Sequence, residues 1–219
     1  LTTTVAVFND DDHNFGIKRK SLILNGINMS ANHSKSRKYM TLLSYIPLLL
    51  NENPKDVLVI CFGTGLTSGA AGVYPGIDSV DAVDISPGVF SAGQLFSETN
   101  YDAINNTKIH KIAEDGRNHL LTTSKTYDVI TAEPPPPTQA GAVNLYTKEY
   151  YELTKKALNP GGIVSQWIPL HSQTKTHIYE HFQTFLDSFP YVMSWYPVKQ
   201  ELILIGSNDP INLDFRKIE

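Results

Sequence analysis

A chain of 219 residues with 41% hydrophobic and 18% charged content can bury a sizeable core, and it reads as one globular domain with at most a small appendage. Its net charge of −4 gives no electrostatic reason to expect a nucleic-acid partner, and no apolar run is long enough for a membrane span. The single cysteine, Cys61, excludes a disulfide within the chain and fits a reducing, cytoplasmic setting. The chain opens at Leu1 with no methionine and no signal-like segment, so a fragment of a longer protein is the expectation.

Taken in order, residues 2–8 and 21–24 read as short strands around a polar turn region, 9–16, and the second ends at Asn25-Gly26. Residues 1–34 are therefore expected to form a β-hairpin appendage ahead of a main domain over 35–219. A helix follows over 36–50, with Tyr39, Leu42, Leu43 and Ile46 on its apolar face and Pro47 expected to kink or end it. Val57-Leu58-Val59-Ile60-Cys61 reads as a central strand buried on both faces. Gly63 and Gly65 then allow a tight turn and close approach of backbone to a ligand, before a helix over 66–74. The next strand, 79–84, ends on Asp84, an acid placed to accept hydrogen bonds from a ribose. Glycine turn, helix, strand and acid describe a nucleoside-binding βαβ unit, with Gly63, Thr64, Gly65, Asp84 and Ile85 as its binding residues.

Beyond this unit strands are expected near 108–112, 127–132 and 162–167, and helices near 87–97, 116–122 and 147–158, with Gly161-Gly162 as a helix stop and turn. A last helix over 174–188 carries Ile178, Phe182, Phe185, Leu186 and Phe189 as an apolar stripe, and strands over 192–196 and 202–205 form a terminal antiparallel hairpin. Such alternation builds a mostly parallel sheet of seven strands covered by helices, with the ligand at the carboxyl ends of the strands. The layout resembles the class I methyltransferase-like Rossmann fold of the S-adenosylmethionine-dependent transferases.

Three acids fall where successive βα loops open: Asp84, Asp115 and Glu133. Asp115 suits a hydrogen bond from an adenine amino group and equally an N-cap, and its two oxygens allow both. Glu133 begins the run Glu133-Pro134-Pro135-Pro136-Pro137, which can be neither helix nor central strand. A stiff loop thus holds this carboxylate at the cleft, either as a solvated acid or to bind a cation or take a proton. His177-Ile178-Tyr179-Glu180-His181 matches the pattern of some zinc peptidases but lacks a third ligand; it reads as a solvated helix face, and no metal is expected. His110, His119 and His171 stand alone and read as structural, with His171 kept as a candidate because it lies near a strand end.

The run from Tyr127 to Pro134, the run from Asn144 to Leu153 and Leu158-Asn159-Pro160-Gly161-Gly162 resemble the spermidine synthase family. Gln166-Trp167 and Leu204-Ile205-Gly206-Ser207 are similar to the spermidine-synthase-like domains often fused to transporter-like membrane segments. The resemblance implies transfer of an aminopropyl group from decarboxylated S-adenosylmethionine to a polyamine amine. It implies that Gly63 and Gly65 line the nucleoside turn, that Asp84 holds the ribose and that Asp115 with Gly116 meets the adenine. Glu133 then stands where the family carries a catalytic aspartate, with Tyr146 beside it on the substrate side. A homodimer is the implied assembly, with no membrane segment in this chain even if the parent protein has one. Departures are also visible: Thr64 replaces an acid of the family's glycine turn, Pro136 replaces a second aspartate, and Met40 replaces a helix histidine. Two alternatives stay open, a methyltransferase or sulfonium-cleaving enzyme using intact S-adenosylmethionine and a nucleoside-binding domain without turnover.

Overall fold

The computed structural model describes residues 3–14, 17–171 and 173–213. Strands β1 (Val5–Asn14), β2 (Ile17–Leu24) and β3 (Ile27–Ala31) form a separate antiparallel sheet. The appendage is therefore three-stranded where a hairpin was expected. Asn25 and Gly26 both take positive φ (50° and 81°), the geometry of a tight hairpin turn, and this folds β3 back onto β2. Residues 9–14, expected in a polar turn, continue β1 through a bulge between Asp10 and His13, because pairing with β2 outweighs polar composition. Phe15 and Gly16 lie outside the described residues.

The main sheet has seven strands. Parallel to one another run β4 (Asp56–Ile60), β5 (Ser79–Asp84), β6 (Ile109–Ala113), β7 (Tyr127–Ala132) and β8 (Leu158–Pro169). The chain closes with β9 (Tyr191–Val198) and β10 (Glu201–Ser207), an antiparallel hairpin whose second strand pairs with β8. The spatial order is β6-β5-β4-β7-β8-β10-β9, so successive connections leave β4 in opposite directions and open a crevice at its carboxyl end. Alternate residues of β4 enter different cores. Val57 and Val59 pack with Leu48, Ala71 and Val89, whereas Leu58 and Ile60 pack with Leu120, Tyr150 and Phe185. The first face carries α1 (Ser34–Leu50), α2 (Leu66–Val73) and α3 (Pro87–Gly93); the second carries α4 (Gly116–Thr122), α5 (Lys148–Lys156) and α6 (Lys175–Ser188). Among the described residues no helix is long and apolar enough to cross a membrane.

Three local expectations are corrected. Pro47 does not end α1, which runs on to Leu50. Proline has no N–H to give the Leu43 carbonyl four residues back, and that acceptor is taken up by the sheet: the hydroxyls of Ser165 (2.8 Å) and Thr131 (3.3 Å) donate to it. Gly161-Gly162 is not a turn between elements but a bulge inside β8, where Gly161 has φ 72° and the register on β7 shifts between Tyr127 and Val129. On α6, Phe185 and Phe189 are buried as expected, but Leu186 faces solvent.

Candidate functional site

β4 ends at Ile60, and Cys61 (φ 70°), Gly63 (φ 54°) and Gly65 (φ 82°) carry the chain through the left-handed region into α2. At Gly65 a Cβ would meet the Phe62 ring at 2.5 Å, so both conformation and space require glycine. At Gly63 the nearest atom to an added Cβ would be 3.9 Å away, at the Ser30 hydroxyl, which leaves its backbone approachable. Asn100 stiffens the turn by donating its amide to the carbonyls of Thr64 and Gly93, both at 2.9 Å. Asp84, at the end of β5, accepts from the backbone N–H groups of Phe62 and Ser86, each at 3.0 Å. Burial pushes its carboxyl up, and these backbone donors pull it back down. Ile85 lies exposed at the lip beside it.

Asp115 caps α4, accepting from the Asn118 N–H at 2.9 Å, and remains exposed. Gly116 is buried, and a Cβ there would meet the Ile60 side chain at 2.5 Å, so glycine lets α4 sit directly against β4. Thr64 is buried with its hydroxyl 3.8 Å from the Met40 sulfur on α1. The two positions at which the resemblance implies an acid and a histidine therefore lie side by side.

The three acids expected at the loops do converge. The Cys61 thiol is pushed up first by burial and then by Asp84, Glu133 and Asp115. Glu133 continues the β4–β7 pairing, its N–H donating to the Ile60 carbonyl at 3.2 Å. Its carboxylate accepts from the Tyr39 hydroxyl on α1 (2.7 Å) and the Thr67 hydroxyl in the first turn of α2 (3.4 Å). Its pKa is raised to about 7, chiefly by burial; the Tyr39 hydrogen bond opposes that rise, Glu201 adds to it, and the Thr67 hydrogen bond again opposes it. A carboxylate poised there exchanges protons at neutral pH. The proline loop that aims it is held from behind, because the Tyr146 hydroxyl is 3.2 Å from the carbonyls of both Pro134 and Pro135. Tyr146, named above on the substrate side, is buried with its ring 5.0 Å from that of His181, and it braces the loop. His177, the other histidine of its motif, is exposed.

Tyr39 also faces a cavity of about 240 Å³ beneath the small sheet, lined in part by Arg19, Lys35, Tyr39, Trp167, His171 and Glu201. The Tyr39 and Trp167 rings stack, with centroids 5.9 Å apart and planes at 12°. The Trp167 indole N–H donates to Glu201 at 3.0 Å, and Lys35 Nζ lies 2.7 Å from the other Glu201 oxygen. His171 stands 3.7 Å from the same carboxylate. Sequence reasoning placed Tyr39 on an apolar helix face and did not single out Glu201. The one available signal was the Tyr39 hydroxyl, which a buried tyrosine must hand to some acceptor.

A family model described as the spermine/spermidine synthase domain matches residues 36–204. The polyamine aminopropyltransferase of Methanocaldococcus jannaschii is 33% identical over 156 residues, covering 71% of this chain and 52% of that protein. The polyamine aminopropyltransferase of Escherichia fergusonii is 32% identical over 126 residues, covering 57% of this chain and 43% of that protein. The chain thus spans about half the length of the curated relatives it matches. Among solved structures, spermidine synthase in complex with the transition state analogue AdoDATO superposes with a TM-score of 0.82 at 19% identity, covering 96% of this chain and 71% of that one. Human methyltransferase-like protein 13 in complex with SAH gives 0.63 at 18% identity, covering 83% of this chain and 85% of that one, which marks the wider fold group. A match over most of the main domain, on a sheet of this order, makes the chain a member of the spermine/spermidine synthase domain family.

Proposed function

We propose that this chain transfers an aminopropyl group from decarboxylated S-adenosylmethionine to an amine of the polyamine class. The observation that carries the reading is Glu133. It is a carboxylate tuned to about neutrality, standing between the glycine turn, through Thr67, and the aromatic wall of the cavity, through Tyr39. The nucleoside of the donor occupies the turn at Gly63 and Gly65, its ribose meets Asp84, and its adenine lies toward Asp115 and Gly116 beside exposed Ile85. Relatives named polyamine aminopropyltransferase and a solved neighbour holding AdoDATO support the donor and acceptor classes.

In the transfer, the lone pair of the acceptor amine forms a bond to the methylene carbon next to the sulfonium. The carbon–sulfur bond breaks with its electron pair going to sulfur, which leaves as a neutral thioether nucleoside. An alkyl amine with an ordinary pKa of about 10 arrives protonated, and desolvation brings that value down. Glu133 orients the nitrogen and takes its proton, while alignment on the aromatic wall supplies most of the acceleration. Thr64 brings no charge to the turn.

The test is Glu133→Gln. Turnover of decarboxylated S-adenosylmethionine with a diamine is expected to fall about 10²- to 10⁴-fold, while calorimetric binding of methylthioadenosine stays unchanged. A variant that turns over at the wild-type rate would exclude Glu133 as the base. Tighter binding of intact S-adenosylmethionine than of its decarboxylated form would move the reading to methyl transfer or sulfonium cleavage.

A further inference from the structure

We propose that Glu201 is the second carboxylate of this site, the anchor for the ammonium at the far end of a diamine acceptor, and that Lys35 is the internal ammonium competing for it. The inference rests on the aminopropyl-transfer reading and specifies its acceptor. Two positions at which the family resemblance calls for acids hold Thr64 and Pro136, so the amine side needs another source of negative charge. Glu201 supplies it from the first residue of β10, a location no motif marks.

Its surroundings fit the role. Glu201 is only 4% exposed, and the Trp167 indole fixes one oxygen at 3.0 Å. A carboxylate so buried requires a cation, and any ammonium that reaches it serves. The present one belongs to Lys35, whose side chain is 39% exposed and sits on a flexible four-carbon stem, so the carboxylate stays in place while the lysine can swing out. Between Glu201 and Glu133 stand the stacked rings of Trp167 and Tyr39, each hydrogen-bonded to one of the two carboxylates. An aliphatic chain with an ammonium at each end matches this order of groups: acid, aromatic wall, acid. Arg19 on the same cavity wall adds positive charge and counts against a third ammonium.

The experiment compares 1,4-diaminobutane with 1-aminobutane, which has the same chain and lacks the far ammonium, on wild type, Lys35→Met, Lys35→Arg and Glu201→Gln. Turnover is measured with decarboxylated S-adenosylmethionine, and amine binding is measured by calorimetry with methylthioadenosine present. Lys35→Met should lower the KM and Kd of the diamine about tenfold and leave the monoamine unchanged. Glu201→Gln should raise the diamine values by at least as much, again sparing the monoamine, and Lys35→Arg, which keeps the competing charge, should not lower them. If Lys35→Met does not fold, the double variant Lys35→Met with Glu201→Gln removes both charges and should abolish the preference for the diamine. Equal effects on both amines, or tighter binding of an ω-amino acid than of the diamine to wild type, would overturn the anchor. Failure of every amine to react, with the diamine-specific binding shifts intact, would instead overturn the reaction and keep the anchor.

Discussion

The glycine turn and the aromatic-walled cavity share the carboxyl ends of one sheet but are assembled over different distances along the chain. The turn is a run of neighbours, Phe62 to Gly65, braced by Asp84 at a separation of 22 residues. The cavity joins Tyr39 to Glu133 across 94 residues and Trp167 to Glu201 across 34. One region is made mostly of backbone, so its weak points are positions where a Cβ cannot fit. The other is made of side chains, and each of its members can be exchanged at a cost read in kinetics more than in folding.

The largest effect on this contrast is expected from Gly65→Ala. A left-handed residue without glycine's freedom costs roughly 1–2 kcal/mol, and the clash with Phe62 adds about 1–3 kcal/mol of overpacking. Urea unfolding should show a loss of roughly 2–5 kcal/mol, with methylthioadenosine binding lost as well. An unchanged midpoint would mean the turn is side-chain-governed after all.

Next in size is a stability change at Glu133. Its carboxyl is held at about 7 in the folded chain against an ordinary value of 4.5, so between those values the native state keeps a proton that the unfolded state has released. Native stability therefore falls as pH rises from about 4.5 to about 7. Glu133→Gln should be the more stable protein above pH 7 by roughly 1–3 kcal/mol, with the gap closing below pH 4.5. Urea melts at pH 4 and pH 8 decide it, since a gap independent of pH would show that burial of the charge is not the cause. In wild type, turnover should rise through about pH 7 as the base loses its proton.

The smallest effect is Tyr39→Phe. Its hydroxyl donates to the ionised form of Glu133 and lowers that pKa, so its removal should displace the pH–rate profile to alkaline values and slow turnover at neutral pH roughly tenfold. A slower rate with an unmoved profile would assign Tyr39 to acceptor packing alone.

The same contrast decides what could be read from the sequence. Strands β5 and β7 and helix α4 were legible to the residue, because buried β-branched runs and an Asp cap are signals within a few positions. Asp84, Asp115 and Glu133 were legible as a set because parallel βα units bring successive loops together at one end. Strand β3, the β8 bulge and the role of Pro47 were not, since each depends on a partner strand or helix that local pattern does not name. The hold of Tyr146 on the proline loop was not legible, because its neighbourhood in sequence does not show which way the loop folds over it. Glu201 carried no local signal, and only the pairing of β10 with β8 puts it beside Trp167.

Pro47 has a consequence for how this cleft can change over evolutionary time. A helix whose carbonyls are all paired internally can slip by a turn along an apolar sheet at modest cost. Helix α1 cannot, because a shift would strand the Leu43 carbonyl away from Ser165 and Thr131. Tyr39 lies one helical turn from Leu43, so its height over Glu133 is tied to the same peg. The proline is thus a surveyor's datum from which the cleft is measured. A change in the length of this cleft would then fall to side chains such as those at positions 35 and 201, with the helix itself left where it stands.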